Sequence, residues 1–160
     1  MSILILTTGG TIDKLYFDAL SEYQIGDSVV ERLLHIARVA LPFRVQEVLR
    51  KDSLELTEAD RATIADAVAA APEDRIVITH GTDTMTDTAR ALAGRTEKTI
   101  VLVGALAPAR FAESDATFNL GMAFATAQVA GPGVWIAMNG TIFDGTKVRK
   151  DRAINSFVAS

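Results

Sequence analysis

The chain has 160 residues, of which 49% are hydrophobic, and its 16 basic and 20 acidic residues leave a net charge of −4. This length and hydrophobic share suffice for one domain with its own core, and no repeat or linker divides residues 1–160. The sequence has no basic cluster that would neutralise phosphates, so nucleic acid is not an expected partner. Without cysteine, and with two separated histidines, it offers neither disulfides nor the ligands of a zinc cluster.

The first apolar run, residues 2–6, leads directly into a turn rich in threonine and glycine. The run is too short to cross a membrane and lacks the basic lead-in of a signal peptide, so we expect a cytoplasmic protein without membrane contact. A run apolar on every residue is typical of a strand buried in a sheet covered on both faces. The glycines that follow, Gly9 and Gly10, predict a sharp turn with accessible backbone N–H groups. Threonines that only satisfy local backbone groups would fit this turn equally well.

The stretch from Asp13 to Gln24 mixes charges with aromatic residues and keeps neither a helical nor a strand period. It is predicted to be a loop, and a loop of this length in a compact domain indicates a lid over the glycine turn. Its tyrosines, Tyr16 and Tyr23, would either act from the lid or only anchor it to the body of the domain.

Two helices have recognisable starts in the next part of the chain. Ser28-x-x-Glu31 is a capping box, and it precedes an apolar face that reaches Leu41. Thr57-x-x-Asp60 starts a second helix, which is predicted to run as far as the next proline.

A strand is predicted from Phe43 to Leu49, and Ser53 follows it shortly before the second helix. Ser53 therefore occupies the same strand-to-helix position as Thr11. A serine at such a place is commonly only a loop residue, and this alternative stays open.

A further buried strand, Arg75–Thr79, runs straight into His80-Gly81-Thr82-Asp83-Thr84-Met85. Met85 begins a helix whose apolar residues recur at helical spacing and are predicted to face the core. Free N–H groups and the positive end of the helix dipole favour anions and developing negative charge at this place. At least one of the three residues before Met85 is predicted to cap the helix, and three candidate caps exceed what one helix needs.

The last third of the chain contains two strands, Lys98–Val103 and Val134–Met138, around a helix from Thr117 to Val129. Both faces of this helix are apolar. The face predicted to be buried consists of Phe118, Gly121, Met122, Ala125 and Val129. The other face, with Leu120 and Phe124, is predicted to contact a second subunit, so we expect a homo-oligomer, a dimer or a tetramer. Strands that alternate with helices predict an α/β fold with a mainly parallel sheet and helices on both faces.

The sequence contains three motifs that follow predicted strands or mark turns. They are Thr8-Gly9-Gly10-Thr11-Ile12, His80-Gly81-Thr82-Asp83-Thr84-Met85, and Asp144-Gly145 with Lys150 five residues after the glycine. In this order they resemble the bacterial-type L-asparaginase family, which has similar residues at Asp52-Ser53 and Phe118-Asn119-Leu120. The resemblance covers nearly the whole chain but only the first of the two domains that such enzymes usually have. It therefore implies a short form of the family, a single N-terminal-type catalytic domain over residues 1–160.

The resemblance implies an amidohydrolase that converts L-asparagine into L-aspartate and ammonia through a threonyl acyl-enzyme, without metal or cofactor. It implies that Thr11 is the nucleophile and that Tyr23 assists it from the lid. It also implies that Thr82 and Lys150 form a second pair of hydroxyl and amine. A threonine hydroxyl needs a neighbouring base to become a competent nucleophile, and no histidine of this sequence is well placed for that task.

The same resemblance implies that Asp52, Ser53, Thr82 and Asp83 bind the substrate, with Ser53 and Asp83 on its carboxylate and α-amino groups. It also gives Asp83 a part in catalysis. The sequence departs from two-domain relatives at Ala107, where they typically carry an arginine, and at Leu54-Glu55, which replace a more polar pair.

Other functions fit these motifs as well. A glutaminase or an ammonia-supplying amidotransferase subunit would use the same groups, and a non-catalytic amino-acid sensor would keep the pocket without the reaction. Because the sequence ends soon after Lys150, we expect weaker binding of asparagine than in two-domain relatives.

Overall fold

The computed structural model of the protein describes residues 1–17, 22–95 and 97–160. In chain order its elements are β1 (Ile3–Gly9), β2 (Lys14–Phe17), β3 (Glu22–Ile25), α1 (Val30–Ile36), β4 (Phe43–Lys51), α2 (Glu58–Ala70), β5 (Arg75–Thr79), α3 (Met85–Leu92), β6 (Thr99–Val103), α4 (Ala116–Val129), β7 (Gly133–Met138), β8 (Thr141–Asp144), β9 (Val148–Asp151) and β10 (Ser156–Ala159). Short 3₁₀ turns at Thr11–Asp13 and Ser53–Glu55 follow β1 and β4.

A six-stranded sheet in the order β4-β1-β5-β6-β7-β8 forms the centre of the molecule. Its first five strands are parallel, and β8 returns antiparallel to β7 after a turn in which Asn139 and Gly140 have positive φ. β1 lies between β4 and β5, with Thr7 opposite Thr79 and Gly9 opposite Lys51. The carboxyl ends of these three strands therefore meet at one edge, the usual place for a ligand in such a sheet.

Both faces of the sheet are covered by helices, because its central strands carry apolar residues on both faces. Leu4 and Leu6 of β1 belong to the cluster that includes α2 and α3, whereas Ile3 and Ile5 belong to the cluster that includes α1 and α4. Each of these four side chains is fully buried, which is worth about 1.5 to 3 kcal/mol per side chain. The predicted α/β fold, with a mainly parallel sheet and helices on both faces, is confirmed.

The two predicted helix starts have different outcomes. α2 starts at its predicted position, and Thr57 and Asp60 form a capping box there, in which each side chain accepts an N–H bond from the other's backbone, at 3.2 and 2.9 Å. The box predicted at Ser28 is wrong, since α1 begins after Val29 with no side-chain cap. The Val29 N–H instead donates to the carboxylate of Asp13 at 3.0 Å, a partner that no local pattern indicates. α1 also ends at Ile36, well before Leu41, and Arg38 lies in the left-handed region with φ 53°.

The loop predicted from Asp13 to Gln24 is also wrong where the structure describes it. β2 and β3 pair antiparallel, with Lys14 opposite Ile25 and Tyr16 opposite Tyr23. The centroids of the two tyrosine rings are 5.4 Å apart, a cross-strand contact of the kind that stabilises a hairpin. Residues 18–21 of the predicted lid lie outside the described residues.

The two faces of α4 are the reverse of the prediction. Leu120, Ala123, Phe124 and Ala127 pack on the sheet, whereas Phe118 is 65% and Val129 85% exposed. Periodicity gave no basis for a choice, because the helix is apolar all round. The argument that Leu120 and Phe124 contact a second subunit is therefore wrong, since the chain's own sheet covers them.

Candidate active site

The glycine turn after β1 brings Thr11 against the segment after β5. Gly9 and Gly10 have φ values of 98° and 88°, a conformation that other residues rarely adopt. A Cβ atom on Gly10 would lie 2.4 Å from the backbone nitrogen of Gly81, so only glycine permits this approach. Thr11, which is half-buried, therefore follows directly after the contact between Gly10 and Gly81.

Ser53 lies on the other side of the same segment. A Cβ atom on Gly81 would lie 2.6 Å from the Ser53 hydroxyl oxygen, and the Thr84 hydroxyl donates to the Ser53 carbonyl at 2.8 Å. Asp52 shapes this turn, because its carboxylate accepts the Leu54 N–H at 3.0 Å. The ends of β4, β1 and β5 thus bring Asp52, Ser53 and the Gly81 backbone together.

Lys150 arrives at the site from β9, 68 residues beyond Thr82 in the chain. Its ammonium group donates to the Thr82 hydroxyl at 2.8 Å and to the Asp83 carboxylate at 2.9 Å. The Lys150 side chain is only 12% exposed, and Arg152 approaches the same carboxylate at 3.8 Å. Because the Thr82 oxygen accepts from Lys150, its own proton points elsewhere and can be donated to another group.

These contacts explain why the predicted cap of α3 is wrong. Thr84 is the first flanking residue of the helix, and it makes no side-chain cap. Its hydroxyl is bonded to Ser53, while Thr82 and Asp83 are bonded to Lys150. The side chains before α3 thus bond to Ser53, after β4, and to Lys150, in β9, rather than capping their own helix.

Comparisons with known proteins identify relatives of this chain. The sequence profile of the family described as "Asparaginase, N-terminal" matches residues 2–157. The L-asparaginase of Thermococcus kodakarensis is 33% identical over 156 residues, which cover 94% of this chain and 48% of that protein. L-asparaginase 2 of Escherichia coli is 35% identical over 164 residues, covering 93% of this chain and 46% of that protein.

The chain belongs to the asparaginase family. A solved structure, the thermostable L-asparaginase from Thermococcus kodakarensis, matches with a TM-score of 0.87 at 31% identity, over 99% of this chain and 51% of that one. The chain spans about half the length of the curated relatives it matches.

His80 of this asparaginase-family chain holds the turn rather than facing a substrate. Its imidazole is fully buried, with Nδ1 2.7 Å from the Gly81 carbonyl and Nε2 2.7 Å from the Thr88 hydroxyl. A carbonyl oxygen only accepts, so Nδ1 carries the proton and Nε2 accepts from Thr88. Burial lowers the pKa of His80 to about 4, and the ring is therefore neutral at pH 7.

Tyr23 lies on the hairpin, where it lines a cleft together with Asp52. Its side chain is about half exposed, and its ring contacts Tyr16 and, at 6.1 Å, Phe111 in the segment after β6. Among the described residues, no hydrogen bond joins Tyr23 to Thr11 or Lys150, and none joins the Thr11 hydroxyl to Lys150. The structure thus brings together Thr82, Asp83 and Lys150 by direct contact, whereas Tyr23 lies on the hairpin with aromatic neighbours.

Asp115 is a residue of this region that the sequence did not indicate. Its carboxylate accepts the N–H groups of Leu106 and Ala107 at 2.9 to 3.0 Å and the side-chain amide of Asn119 at 2.8 Å. It thereby shapes the turn after β6, which contains the Ala107 position. An aspartate just before α4 suggests a helix cap, and that local signal conceals its longer-range partners.

Two further properties concern only the described part of the chain. Within it, no three histidine, aspartate or glutamate side chains are grouped so that they could hold a metal ion. No helix in residues 1–17, 22–95 and 97–160 has the length and apolar content needed to span a membrane.

Proposed function

We propose that the protein is an amidohydrolase that converts L-asparagine into L-aspartate and ammonia. The observation that carries this proposal is the contact of Lys150 with Thr82 and Asp83, at the strand edge where the glycine turn places Thr11. It supplies a hydroxyl and an amine in direct contact, both largely removed from water. Such a pair can relay a proton to and from a neighbouring hydroxyl nucleophile.

In the proposed mechanism Thr11 is the nucleophile. Its hydroxyl oxygen attacks the side-chain amide carbon of asparagine, and its proton passes through the neighbouring hydroxyl and amine groups to the leaving ammonia. Water then hydrolyses the aspartyl ester on Thr11, which releases aspartate and restores the hydroxyl. Thr82 and Lys150 serve as the relay, and Tyr23 assists Thr11 from the hairpin.

The charged groups of the substrate have partners on the same edge. The Asp83 carboxylate has lone pairs beyond the one that Lys150 occupies, and we propose that it accepts the α-ammonium group of asparagine, with Asp52 nearby. Ser53, buried against Gly81, is proposed to donate to the α-carboxylate. Thr82 faces the reacting end of the substrate.

An ammonia-release assay with asparagine and glutamine at equal concentration tests the proposal. We expect ammonia from asparagine at a higher kcat/KM than from glutamine. The reverse order would replace the asparaginase by a glutaminase. Calorimetric binding of aspartate without ammonia from either amide would replace the enzyme by an amino-acid sensor.

The remaining expectations form part of the same proposal. They are a single catalytic domain over residues 1–160, a cytoplasmic location and a homo-oligomer that is a dimer or a tetramer. The outward side of α4, with Phe118 and Val129, is an exposed apolar surface that favours association. Sedimentation at assay concentration measures the subunit number, and a fully active monomer would contradict the oligomer.

A further inference from the structure

Asp13 is a buried acidic residue that none of the proposed roles uses. It lies two residues after Thr11, at the end of the 3₁₀ turn and immediately before β2, and only 1% of its surface is exposed. A carboxyl group is rarely buried to this degree unless hydrogen bonds hold it.

The groups of Asp13 join four parts of the chain. Its carboxylate accepts the Val29 N–H at the start of α1, at 3.0 Å. Its backbone carbonyl accepts the Gly26 N–H, where β3 ends, at 2.9 Å, and the Arg110 guanidinium at 2.8 Å. The same guanidinium donates to the Asp27 carbonyl at 2.7 Å. The bonds of Asp13 thus join the residues just before β2 to those just after β3, and this closes the base of the hairpin.

The neighbouring residue extends the connection to the segment after β6. The Ile12 carbonyl accepts the Ala109 N–H at 3.1 Å, and the Ile12 side chain is buried against Ala105 and Ala116. Because Arg110 follows Ala109, the segment after β6 contacts both residues that follow Thr11. A shift of Asp13 would therefore move Thr11 on one side and the hairpin on the other.

We propose that Asp13 is a positioning residue of the site, which holds Thr11 and the hairpin that carries Tyr23 in one fixed arrangement. This inference rests on the proposed function for the roles of Thr11 and Tyr23. It does not assign Asp13 any contact with the substrate. The residue acts through the hydrogen bonds that close the base of the hairpin.

The environment of Asp13 makes its charge state measurable. Burial raises the pKa of Asp13 to about 6, while the hydrogen bonds from Val29 and Ser28 and the charges of Arg110 and Arg50 lower it. Arg50 in turn donates to Glu47 and forms an ion pair with Asp27. An N–H bonded to an ionising carboxylate reports that titration directly, so the Val29 amide is the natural probe.

The first test is nuclear magnetic resonance of the protein, which needs no turnover. In the parent we expect the Val29 amide shift to titrate with a midpoint near pH 6, and in Asp13→Asn we expect no such titration. In Asp13→Ala, which lacks the carboxylate acceptor, amide exchange at Val29 is expected to accelerate about tenfold. Unchanged amide exchange at Val29 in Asp13→Ala overturns the proposal.

The second test is the kcat/KM for asparagine in the same variants. Asp13→Ala is expected to lose about tenfold, and Asp13→Asn, which keeps an acceptor of the same shape, is expected to remain within about threefold of the parent. Asp27→Asn is the matched control, because its carboxylate is exposed on the adjacent turn and only its carbonyl belongs to the closure. Parental kcat/KM in Asp13→Ala, together with faster exchange, overturns the positioning role.

A third variant keeps the proposal testable where Asp13→Ala does not fold. Arg110→Met removes both guanidinium bonds at the base of the hairpin and one positive charge near Asp13. We expect a higher titration midpoint at Val29 and a lower kcat/KM. A parental kcat/KM in Arg110→Met, which lacks both guanidinium bonds, contradicts the proposal. Absence of ammonia release from every variant and from the parent would refute the proposed function and leave the resonance experiment to decide on Asp13.

Discussion

The two sides of the candidate site are held by different kinds of contact. On one side Lys150 donates hydrogen bonds to Thr82 and Asp83, across elements that pack on the central sheet. On the other side Tyr23 stands on a two-stranded hairpin, half exposed, and the hairpin is joined to the body at its base. Groups that relay protons need fixed distances, whereas an element that covers a pocket must open and close. The sheet edge meets the first need, while the bonds around Asp13 fix only the base of the hairpin.

The largest expected fall in activity follows removal of either hydroxyl that reacts in the proposed mechanism. Thr11→Ala and Thr82→Ala are each expected to lower asparagine hydrolysis by about three orders of magnitude or more, because each removes a hydroxyl that reacts or relays a proton. Their far-ultraviolet spectra are expected to match the parent. Thr63→Ala is the control, since its hydroxyl bonds only within α2. If Thr11→Ala kept a tenth of parental activity, Thr11 would not be the main nucleophile.

The next largest fall in activity is expected for Lys150, whose amine joins β9 to the segment after β5. Lys150→Met keeps most of the apolar stem and removes both hydrogen bonds, so kcat is expected to fall about 100-fold or more with little change in stability. Lys147→Met is the matched control, because Lys147 is exposed and pairs only with Asp144. Near-normal turnover in Lys150→Met would remove Lys150 from the relay.

A smaller effect is expected on the hairpin side. Tyr23→Phe keeps the ring contacts with Tyr16 and Phe111 and removes the phenolic hydroxyl, so we expect kcat to fall about tenfold with an unchanged melting temperature. Tyr16→Phe removes the same group from the facing strand and is expected to leave kcat at the parental value. Equal kinetics in both variants and the parent would show that neither tyrosine assists the reaction.

The smallest effect is a pH dependence of stability, to which Asp13 and His80 contribute in opposite directions. The folded pKa of Asp13 is about 6 against an ordinary 3.8, so its contribution to stability is complete below 3.8 and lost as the pH rises through 6. The folded pKa of His80 is about 4 against an ordinary 6.5, so its contribution is present above 6.5 and lost as the pH falls towards 4. Each amounts to about 3 kcal/mol over its full range.

Denaturant unfolding between pH 4.5 and 6.5 separates these two contributions. Relative to the parent, Asp13→Asn is expected to gain stability as the pH rises, and His80→Asn is expected to gain stability as it falls. The sign of each trend is the measured quantity. A free-energy difference that stays constant with pH in either variant would show that the group does not titrate in this range.

Local sequence signals determined the elements that depend on neighbouring residues. The apolar strands had to be buried on both faces, which gives the parallel sheet between helices. Thr57 and Asp60 sit three residues apart, so their capping box is a matter of local geometry alone. The glycine turn after β1 follows in the same way, because only glycine adopts its backbone angles.

Only the tertiary structure decided the features that depend on distant partners. Asp13 and Val29 are 16 residues apart, and Lys150 is 68 residues from Thr82, so no local pattern joins them. The sequence did not indicate the hairpin, because the stretch from Asp13 to Gln24 keeps no regular strand period. In α4 both faces are apolar, and the shape of the sheet beneath it selected the one with Leu120 and Phe124. Sequence periodicity reports how apolar a face is, whereas packing against a particular neighbour determines which face is buried.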